Sequence, residues 1–339
     1  MGKVAHRNLP LVGASYRTFD PRRVARLWLI GYVFLGLCVV AHSDLAGRLQ
    51  KPYRQTQDVV LATVNGKPVY MDVFQPQPVA TGDTSAPQQP GAGLAIVDVA
   101  SGAWHSDRGK IEDHDTAFVY SIFCAHGYTV FAVRPGSRGE YLAKEMVDNV
   151  KRCIRYVKAH AKEYGVRADR VGLIGASAGG HLALLAAFTP EPAVPESPDP
   201  LEHFSTRVCA VGVFFPPTDF LNWEGKSFED VKTLVGDLFF RDPTQPRSDE
   251  EWREAARAAS PLHHVRPGLP PVRIFHGDAD PLVPLQQSQA LVAALEQAHV
   301  PVELTVKEGG GHPWLTIPVE VGQLADWFDK RLHEGENCP

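Results

Sequence analysis

The chain has 339 residues, 44% of them apolar and 22% charged, and a formal net charge of −5. This mildly acidic balance argues against a nucleic acid partner, because nucleic-acid-binding domains usually carry a basic surface. The part of the chain after its N-terminal segment, about 290 residues, suits one domain with a large core.

An apolar run at the N-terminus is the first predicted element. Residues 27–41 are apolar and follow Arg22, Arg23 and Arg26. A basic flank before a short apolar run is typical of a signal peptide or signal anchor. The run is shorter than the roughly 20 residues of a comfortable membrane span. We therefore expect residues 1–43 to direct export, either as a cleaved signal peptide or as a membrane anchor, so that the protein is periplasmic, secreted or membrane-anchored. A helix buried in the fold is the alternative.

Residues 44–57 read as a linker, and residues 58–335 as one domain. Asn65-Gly66 lies between two alternating runs, 58–64 and 67–74, which predicts a β-hairpin. Residues 75–93 are rich in Pro, Gln, Ala and Gly and predict a flexible surface connection. Strands and helices then alternate, with strands at 94–99, 128–133, 170–174, 271–275 and 302–306 and a long helix at 142–164. Alternation of this kind predicts an α/β fold with a mostly parallel, doubly wound sheet.

Two insertions interrupt the alternation. Residues 189–205 are proline-rich and acidic, and residues 219–261 contain several aromatic side chains. Inserted loops on the functional face of such sheets often supply specificity, so residues 219–261 predict a small cap or lid. A helical excursion packed to one side is the alternative.

The pentapeptide Gly175-Ala176-Ser177-Ala178-Gly179 is the most informative motif. It follows the apolar strand 170–174 and precedes the apolar helix 181–188. A G-x-S-x-G between a strand and a helix is a nucleophile elbow, whose sharp turn lifts the serine hydroxyl above the sheet edge. The helix N-terminus behind it favours negative charge near that serine. The motif therefore predicts Ser177 as a nucleophile.

An acid and then a histidine should follow the serine along the chain. Strand 271–275 runs into His276-Gly277-Asp278-Ala279-Asp280, and strand 302–306 is followed by Gly309-Gly310-Gly311-His312. The carboxyl ends of parallel strands meet at one sheet edge, where such side chains can converge. A histidine, with an intrinsic pKa near about 6.5, can take the proton of a serine hydroxyl, and a carboxylate can orient it. We predict His312 as the base, and Asp280 or Asp278 as the acid.

These motifs, in order and spacing, make residues 59–332 resemble esterases related to hormone-sensitive lipase and bacterial feruloyl esterases. The resemblance extends to prolyl-oligopeptidase-like α/β-hydrolases and includes the segment Phe214-Phe215-Pro216-Pro217-Thr218-Asp219. It implies an α/β-hydrolase fold, and the family's H-G-x-x-D spacing favours Asp280 over Asp278. Asp219 either assists substrate placement or is a turn residue.

The loop after strand 94–99 departs from the family pattern. The family usually has His-Gly-Gly-Gly-Trp there, and this chain has Ala100-Ser101-Gly102-Ala103-Trp104. Backbone N–H donors survive these changes, so the resemblance implies an oxyanion hole made by Ala178 with Gly102 or Ala103. Trp104 either lines the substrate pocket or packs in the core, and we expect His181 to pack or to form hydrogen bonds rather than to do chemistry.

These residues predict a serine hydrolase that cleaves carboxylic esters through an acyl-enzyme, and the resemblance implies a small-molecule or carbohydrate-linked ester as substrate. The alternatives are a serine peptidase of the prolyl-oligopeptidase type and a non-catalytic hydrolase-like domain that binds a partner. We predict no cofactor and no metal, since the sequence has neither CxxC nor HExxH and no phosphate-binding glycine motif. Outside the leader, Cys124, Cys153, Cys209 and Cys338 allow three pairings; a Cys124–Cys153 bridge and buried free thiols both stay open.

Overall fold

The computed structural model describes residues 51–64, 66–77, 89–333 and 338. The predicted export segment, residues 1–43, lies outside the described residues. Among the residues that are described, no helix is both long enough and apolar enough to cross a membrane.

One eight-stranded sheet organises the described part of the chain. Its strands are β1 (Tyr53–Val64), β2 (Lys67–Pro76), β3 (Ala95–Val99), β4 (Thr129–Arg134), β5 (Val171–Ala176), β6 (Ala210–Phe214), β7 (Val272–Gly277) and β8 (Val302–Lys307). Their order across the sheet is β1-β2-β4-β3-β5-β6-β7-β8. β2 is antiparallel to both of its neighbours, and all other pairs are parallel. The prediction of a mostly parallel sheet is confirmed.

Helices cover both faces of this sheet. They are α1 (Arg108–Thr116), α2 (Val119–Ala125), α3 (Ala143–Ala159), α4 (Ala161–Tyr164), α5 (Ala178–Phe188), α6 (Phe228–Phe239), α7 (Asp249–Ala259), α8 (Gln286–Gln297) and α9 (Ile317–His333). Side chains alternate along each strand, so Val97 and Leu173 belong to the core under α3, α5 and α8, while Ile96 and Ile174 belong to the core under α1, α2 and α9. The predicted helix 142–164 is two helices, α3 and α4.

The N-terminal boundary of the domain lies earlier than the sequence indicates. β1 begins at Tyr53 and pairs with β2 from Tyr53 opposite Pro76, so residues 53–57 are strand and not linker. The compact unit of the fold likewise begins at Pro52. β1 is an edge strand whose polar first residues are largely exposed, and it therefore lacks the apolar alternation by which a strand is recognised.

The insertion 219–261 contains the helices α6 and α7. Ser227 and Ser248 cap them, each accepting a hydrogen bond from the backbone N–H three residues later. Residues of these helices, of α3 and of the end of α5 line a cavity of about 430 Å³. That the insertion caps the site stays a prediction.

The cysteines do not pair as Cys124–Cys153. Cys209 forms a disulfide with Cys338, and Cys124 and Cys153 are buried free thiols. Cys153 lies in the core under α3, whereas Cys124 lies in the core on the other face of the sheet, so the sheet separates them. Burial raises the pKa of the Cys124 thiol to about 12 and also raises that of Cys153.

Candidate active site

Ser177 lies in the sharp turn between β5 and α5. Its backbone has φ 52° and ψ −120°, and its N–H donates to the carbonyl of Phe214 at 2.9 Å. A Cβ added to Gly175 would lie 2.4 Å from the carbonyl oxygen of Gly179, and one added to Gly179 would lie 2.2 Å from that of Val99. Both contacts are with backbone, so only glycine fits at positions 175 and 179, two residues before and two residues after the serine.

The structure brings Ser177, His312 and Asp280 together at the carboxyl ends of β5, β7 and β8. The Nδ1 atom of His312 lies 2.6 Å from Oδ2 of Asp280, and its Nε2 atom lies 2.8 Å from the hydroxyl oxygen of Ser177. A carboxylate only accepts hydrogen bonds, so Nδ1 carries the proton and donates it to Asp280. Nε2 is then free to accept a hydrogen bond from Ser177. This geometry is that of a serine, a base and an orienting acid.

The Asp280 side chain is completely buried, yet it is held in its charged form. Burial raises its pKa, but the adjacent imidazole of His276 and hydrogen bonds from His312 and from the N–H groups of Val283 and Leu282 outweigh this and hold the pKa well below its usual range. A negative charge beside Nδ1 can stabilise an imidazolium at His312.

Asp278, the alternative acid, points elsewhere. It is exposed and accepts a hydrogen bond from the N–H of Gly309 at 2.7 Å. That bond joins the loop after β7 to the loop after β8, which is a structural role, and the structure brings only Asp280 to His312.

Two further residues, His276 and Phe215, lie beside the three side chains and are not predicted from the sequence. His276 is fully buried, with Nε2 2.9 Å from the Val283 carbonyl and 3.6 Å from Oδ2 of Asp280. The ring of Phe215 lies 4.3 Å from that of His312, and its backbone has φ 38°. The sequence offers one signal for His276, its position close to the acid in His276-Gly277-Asp278-Ala279-Asp280. It offers no signal for Phe215.

Of the two donors predicted as alternatives in the loop after β3, Gly102 and Ala103, only Ala103 has a free N–H in the described part of the chain. The N–H of Gly102 donates to the carbonyl of His105 at 3.0 Å, so Gly102 is not available as an oxyanion donor. Ala103 is exposed, with φ 49°. Within residues 89–333 the N–H groups of Ala103 and Ala178 donate to no acceptor of the protein, so these two are available to stabilise an oxyanion.

Trp104 and Asp219 are both buried. The indole N–H of Trp104 donates to Nδ1 of His181 at 3.0 Å. Oδ1 of Asp219 accepts from the N–H of Leu221 at 2.9 Å and lies 3.2 Å from Nε2 of His263. These contacts favour packing for Trp104 and a turn role for Asp219; contact of either with a substrate stays a prediction.

One group of side chains in the described part has the spacing of a metal site. It consists of His126, Asp326 and Asp329, with Nδ1 of His126 hydrogen-bonded to Asp329 at 2.8 Å. His126 precedes β4, so this group lies at the amino ends of the strands, whereas Ser177 lies at their carboxyl ends. It is therefore separate from the candidate active site.

A protein-family model matches the part of the chain that contains most of this site. Residues 84–295, more than half of the chain, match the model of the BD-FAE family, and the match includes Ser177 and Asp280. The chain belongs to the BD-FAE family. Its eight-stranded sheet, with helices on both faces and an elbow after β5, is the α/β-hydrolase fold.

Relatives of this BD-FAE protein include esterases. It is 30% identical over 207 residues to the probable carboxylic ester hydrolase LipM of Mycobacterium tuberculosis, a match that covers 61% of this chain and 46% of LipM. The chain thus spans less than half the length of LipM. A truncated carbohydrate esterase from gut microbiota superposes with a TM-score of 0.65 at 22% identity, covering 84% of this chain and 99% of that one, which shows a common fold. The native esterase Est2 of Thermogutta terrifontis superposes with a TM-score of 0.58 at 27% identity, covering 86% and 99%.

Proposed function

We propose that this protein hydrolyses carboxylic esters through an acyl-enzyme, with Ser177 as nucleophile, His312 as general base and acid, and Asp280 as the orienting acid. The 2.8 Å hydrogen bond between Nε2 of His312 and the Ser177 hydroxyl carries the proposal. The likeness to LipM and Est2 supports an ester as substrate.

In the first half of the reaction, Ser177 Oγ attacks the ester carbonyl carbon while its proton passes to Nε2 of His312. The C=O π electrons move to the carbonyl oxygen, which becomes an oxyanion that the N–H groups of Ala178 and Ala103 stabilise. The imidazolium of His312, paired with Asp280, gives its proton to the alkoxy oxygen as the C–O bond breaks. The alcohol leaves and the acyl group stays on Ser177.

In the second half, a water takes the place of the alcohol. His312 removes its proton as the water attacks the acyl carbon, and a second oxyanion forms in the same place. The imidazolium then returns its proton to Ser177 Oγ, which releases the carboxylic acid and the free enzyme. Both halves use the same hydrogen bond, so loss of Ser177 or of His312 should stop both.

A covalent probe and a substrate panel test this proposal. A fluorophosphonate should label the wild type and not Ser177→Ala. Ser177→Ala and His312→Ala should each lower kcat for p-nitrophenyl acetate by about 10⁴-fold or more, and the double variant should cost little extra because the residues act as one unit. Turnover of Gly-Pro-p-nitroanilide without turnover of esters would instead indicate a peptidase. Absence of both labelling and turnover would favour a non-catalytic binding domain.

The substrate class and the compartment are part of the same proposal. The carbohydrate esterase from gut microbiota has the same fold, which is a reason to test sugar esters as substrates. Rates with acetylated or feruloylated sugars should be compared with rates with simple aryl esters. The basic flank and apolar run of residues 22–41 support export. Cell fractionation and N-terminal sequencing of the full-length chain test export, and recovery in the cytoplasm with an intact N-terminus would contradict it.

A further inference from the structure

A chain of buried hydrogen bonds joins the loop after β3 to helix α5 and to the end of α7. The indole N–H of Trp104 donates to Nδ1 of His181 at 3.0 Å, and Nε2 of His181 lies 2.7 Å from the carbonyl of Ala259. His181 is 0% exposed and Trp104 6% exposed. The elements joined are the candidate oxyanion loop, which is Ala100–Trp104 after β3, the helix α5 that begins after Ser177, and the last residue of α7.

The donors and acceptors of this chain leave one arrangement of protons. An indole N–H can only donate, so Nδ1 of His181 accepts and bears no proton. The proton of the neutral imidazole is therefore on Nε2, where it is donated to Ala259. Burial lowers the pKa of His181 to about 4, so this neutral form persists at neutral pH.

Trp104 needs such an anchor because its loop is strained. Ala103 has φ 49° and Trp104 φ 59°, in the left-handed region that side chains other than glycine rarely adopt. The carbonyl of Trp104 accepts from the N–H of Arg138 at 2.7 Å, which fixes one side of the residue. The hydrogen bond to His181 fixes the other.

We propose that His181 is a positioning residue of the active site: through the Trp104 indole it holds the peptide N–H of Ala103 where the oxyanion forms. The inference rests on the proposed ester hydrolysis. Ala103 precedes Trp104, and of Gly102–Trp104 it is the residue that is exposed and whose N–H donates to no acceptor within residues 89–333. Release of the indole would let both residues leave the left-handed region and turn that N–H away.

The same contact ties the oxyanion loop to the insertion. Ala259 ends α7, and the next residue, Ser260, accepts a hydrogen bond from the N–H of Phe220 at 2.9 Å. The Phe220 ring in turn lies 5.1 Å from that of His181. His181 thus contacts the insertion through Ala259 and Phe220 and the loop after β3 through Trp104.

Three variants and a control test the inference. Trp104→Phe removes the indole donor and keeps a smaller aromatic ring, and His181→Leu removes both hydrogen bonds of the imidazole. His181→Asn keeps an acceptor near the position of Nδ1. Tyr128→Phe is the matched control, because it removes a hydrogen bond from a buried tyrosine to Asp329 at the amino ends of the strands. Each is measured for kcat and KM with p-nitrophenyl acetate, for affinity of a trifluoromethyl ketone, whose adduct carries an oxyanion, and for Tm.

Loss of one well-placed oxyanion donor lowers kcat about 10²- to 10³-fold, and partial misplacement should cost about 10- to 100-fold. Trp104→Phe and His181→Leu should show this loss with KM within about 3-fold, and the ketone should bind more weakly by a similar factor. His181→Asn should recover at least about 5-fold of the kcat lost in His181→Leu, as expected for a restored acceptor.

Two outcomes overturn the inference alone. One is a wild-type kcat in Trp104→Phe and His181→Leu, with wild-type enzyme labelled and active. The other is a loss no larger than that of Tyr128→Phe at equal Tm, which would mean ordinary packing. Failure of the wild type to turn over any ester or to react with a fluorophosphonate overturns the proposed function and this inference with it. If His181→Leu does not fold, Trp104→Phe decides, since it keeps an aromatic side chain at position 104.

Discussion

Acidification from pH 6.5 to pH 4 should destabilise the protein through His181. Burial lowers the pKa of this residue to about 4, against a smaller opposing effect of the hydrogen bond to Ala259. In the unfolded chain a histidine has a pKa near about 6.5. Between these values the unfolded chain binds a proton that the folded chain does not. By linkage the free energy of unfolding therefore rises with pH across this window and falls on acidification.

The size of the effect follows from the difference between the two pKa values. A difference of about 2.5 units at 1.36 kcal/mol per unit amounts to roughly 3 kcal/mol at pH 4, and to roughly 2 kcal/mol at pH 5. His114 and His126 act in another window. Burial lowers the pKa of His114, but Asp98 outweighs this and raises it, and the hydrogen bond to Asp329 raises that of His126. Their stabilisation is fully present below about pH 6.5 and is lost as the pH rises through their folded values.

Urea unfolding at pH 7 and pH 5 measures this contribution. From pH 7 to pH 5, the free energy of unfolding of the wild type should fall by roughly 2 kcal/mol more than that of His181→Asn. The variant has no titrating side chain at position 181. His299→Asn is the control, because His299 is exposed and asparagine tolerates its φ of 56°. Equal pH dependence in the wild type and His181→Asn would refute the reasoning, whatever the absolute stability of the variant.

Three further predictions concern the acid, the elbow and the thiols. Asp280→Asn should lower kcat by about 10⁴-fold, whereas Asp278→Asn should leave most of it; equal losses would mean that the acid is misassigned. Gly175→Ala should abolish activity and soluble expression because its Cβ meets backbone, whereas Gly322→Ala in α9, with nothing within 4 Å, should stabilise the protein by about 1 kcal/mol in thermal unfolding. The buried thiols of Cys124 and Cys153 should react with Ellman's reagent only after unfolding, and Cys338→Ser should cost about 2–4 kcal/mol of stability; reaction in the native state would contradict their burial.

The sequence predicted most of the parts that follow from local chemistry. The elbow could be recognised because backbone atoms crowd Gly175 and Gly179, which leaves a fixed pattern of small residues. The order of serine, acid and histidine follows from the topology of parallel strands. The Cys209–Cys338 pairing could not be found in this way, because it joins residues 129 apart that meet only in the folded chain.

The sequence pattern alone does not decide between Asp278 and Asp280 as the acid. Both follow β7 within a few residues, and both are carboxylates that suit a turn. What separates them is which backbone N–H groups surround each side chain. Asp280 accepts from Leu282, Val283 and His312, whereas Asp278 accepts from Gly309. Such partners depend on the dihedrals of two loops at once, so only the folded geometry decides between them.

The donor in the oxyanion loop likewise depends on the folded geometry. Gly102, Ala103 and Trp104 each have a backbone N–H, since none of them is proline. The sequence alone therefore does not show which of them is the donor. The fold consumes the N–H of Gly102 in a bond to His105 and leaves that of Ala103 free at a positive φ. Holding alanine and tryptophan in that region costs roughly 1–3 kcal/mol each, which surrounding contacts must offset. The hydrogen bonds of Trp104 to Arg138 and His181 are the contacts in place to do so. Anchored side chains can thus hold a backbone shape at Ala103 and Trp104 that glycine adopts more easily, so this loop is compatible with the proposed oxyanion site.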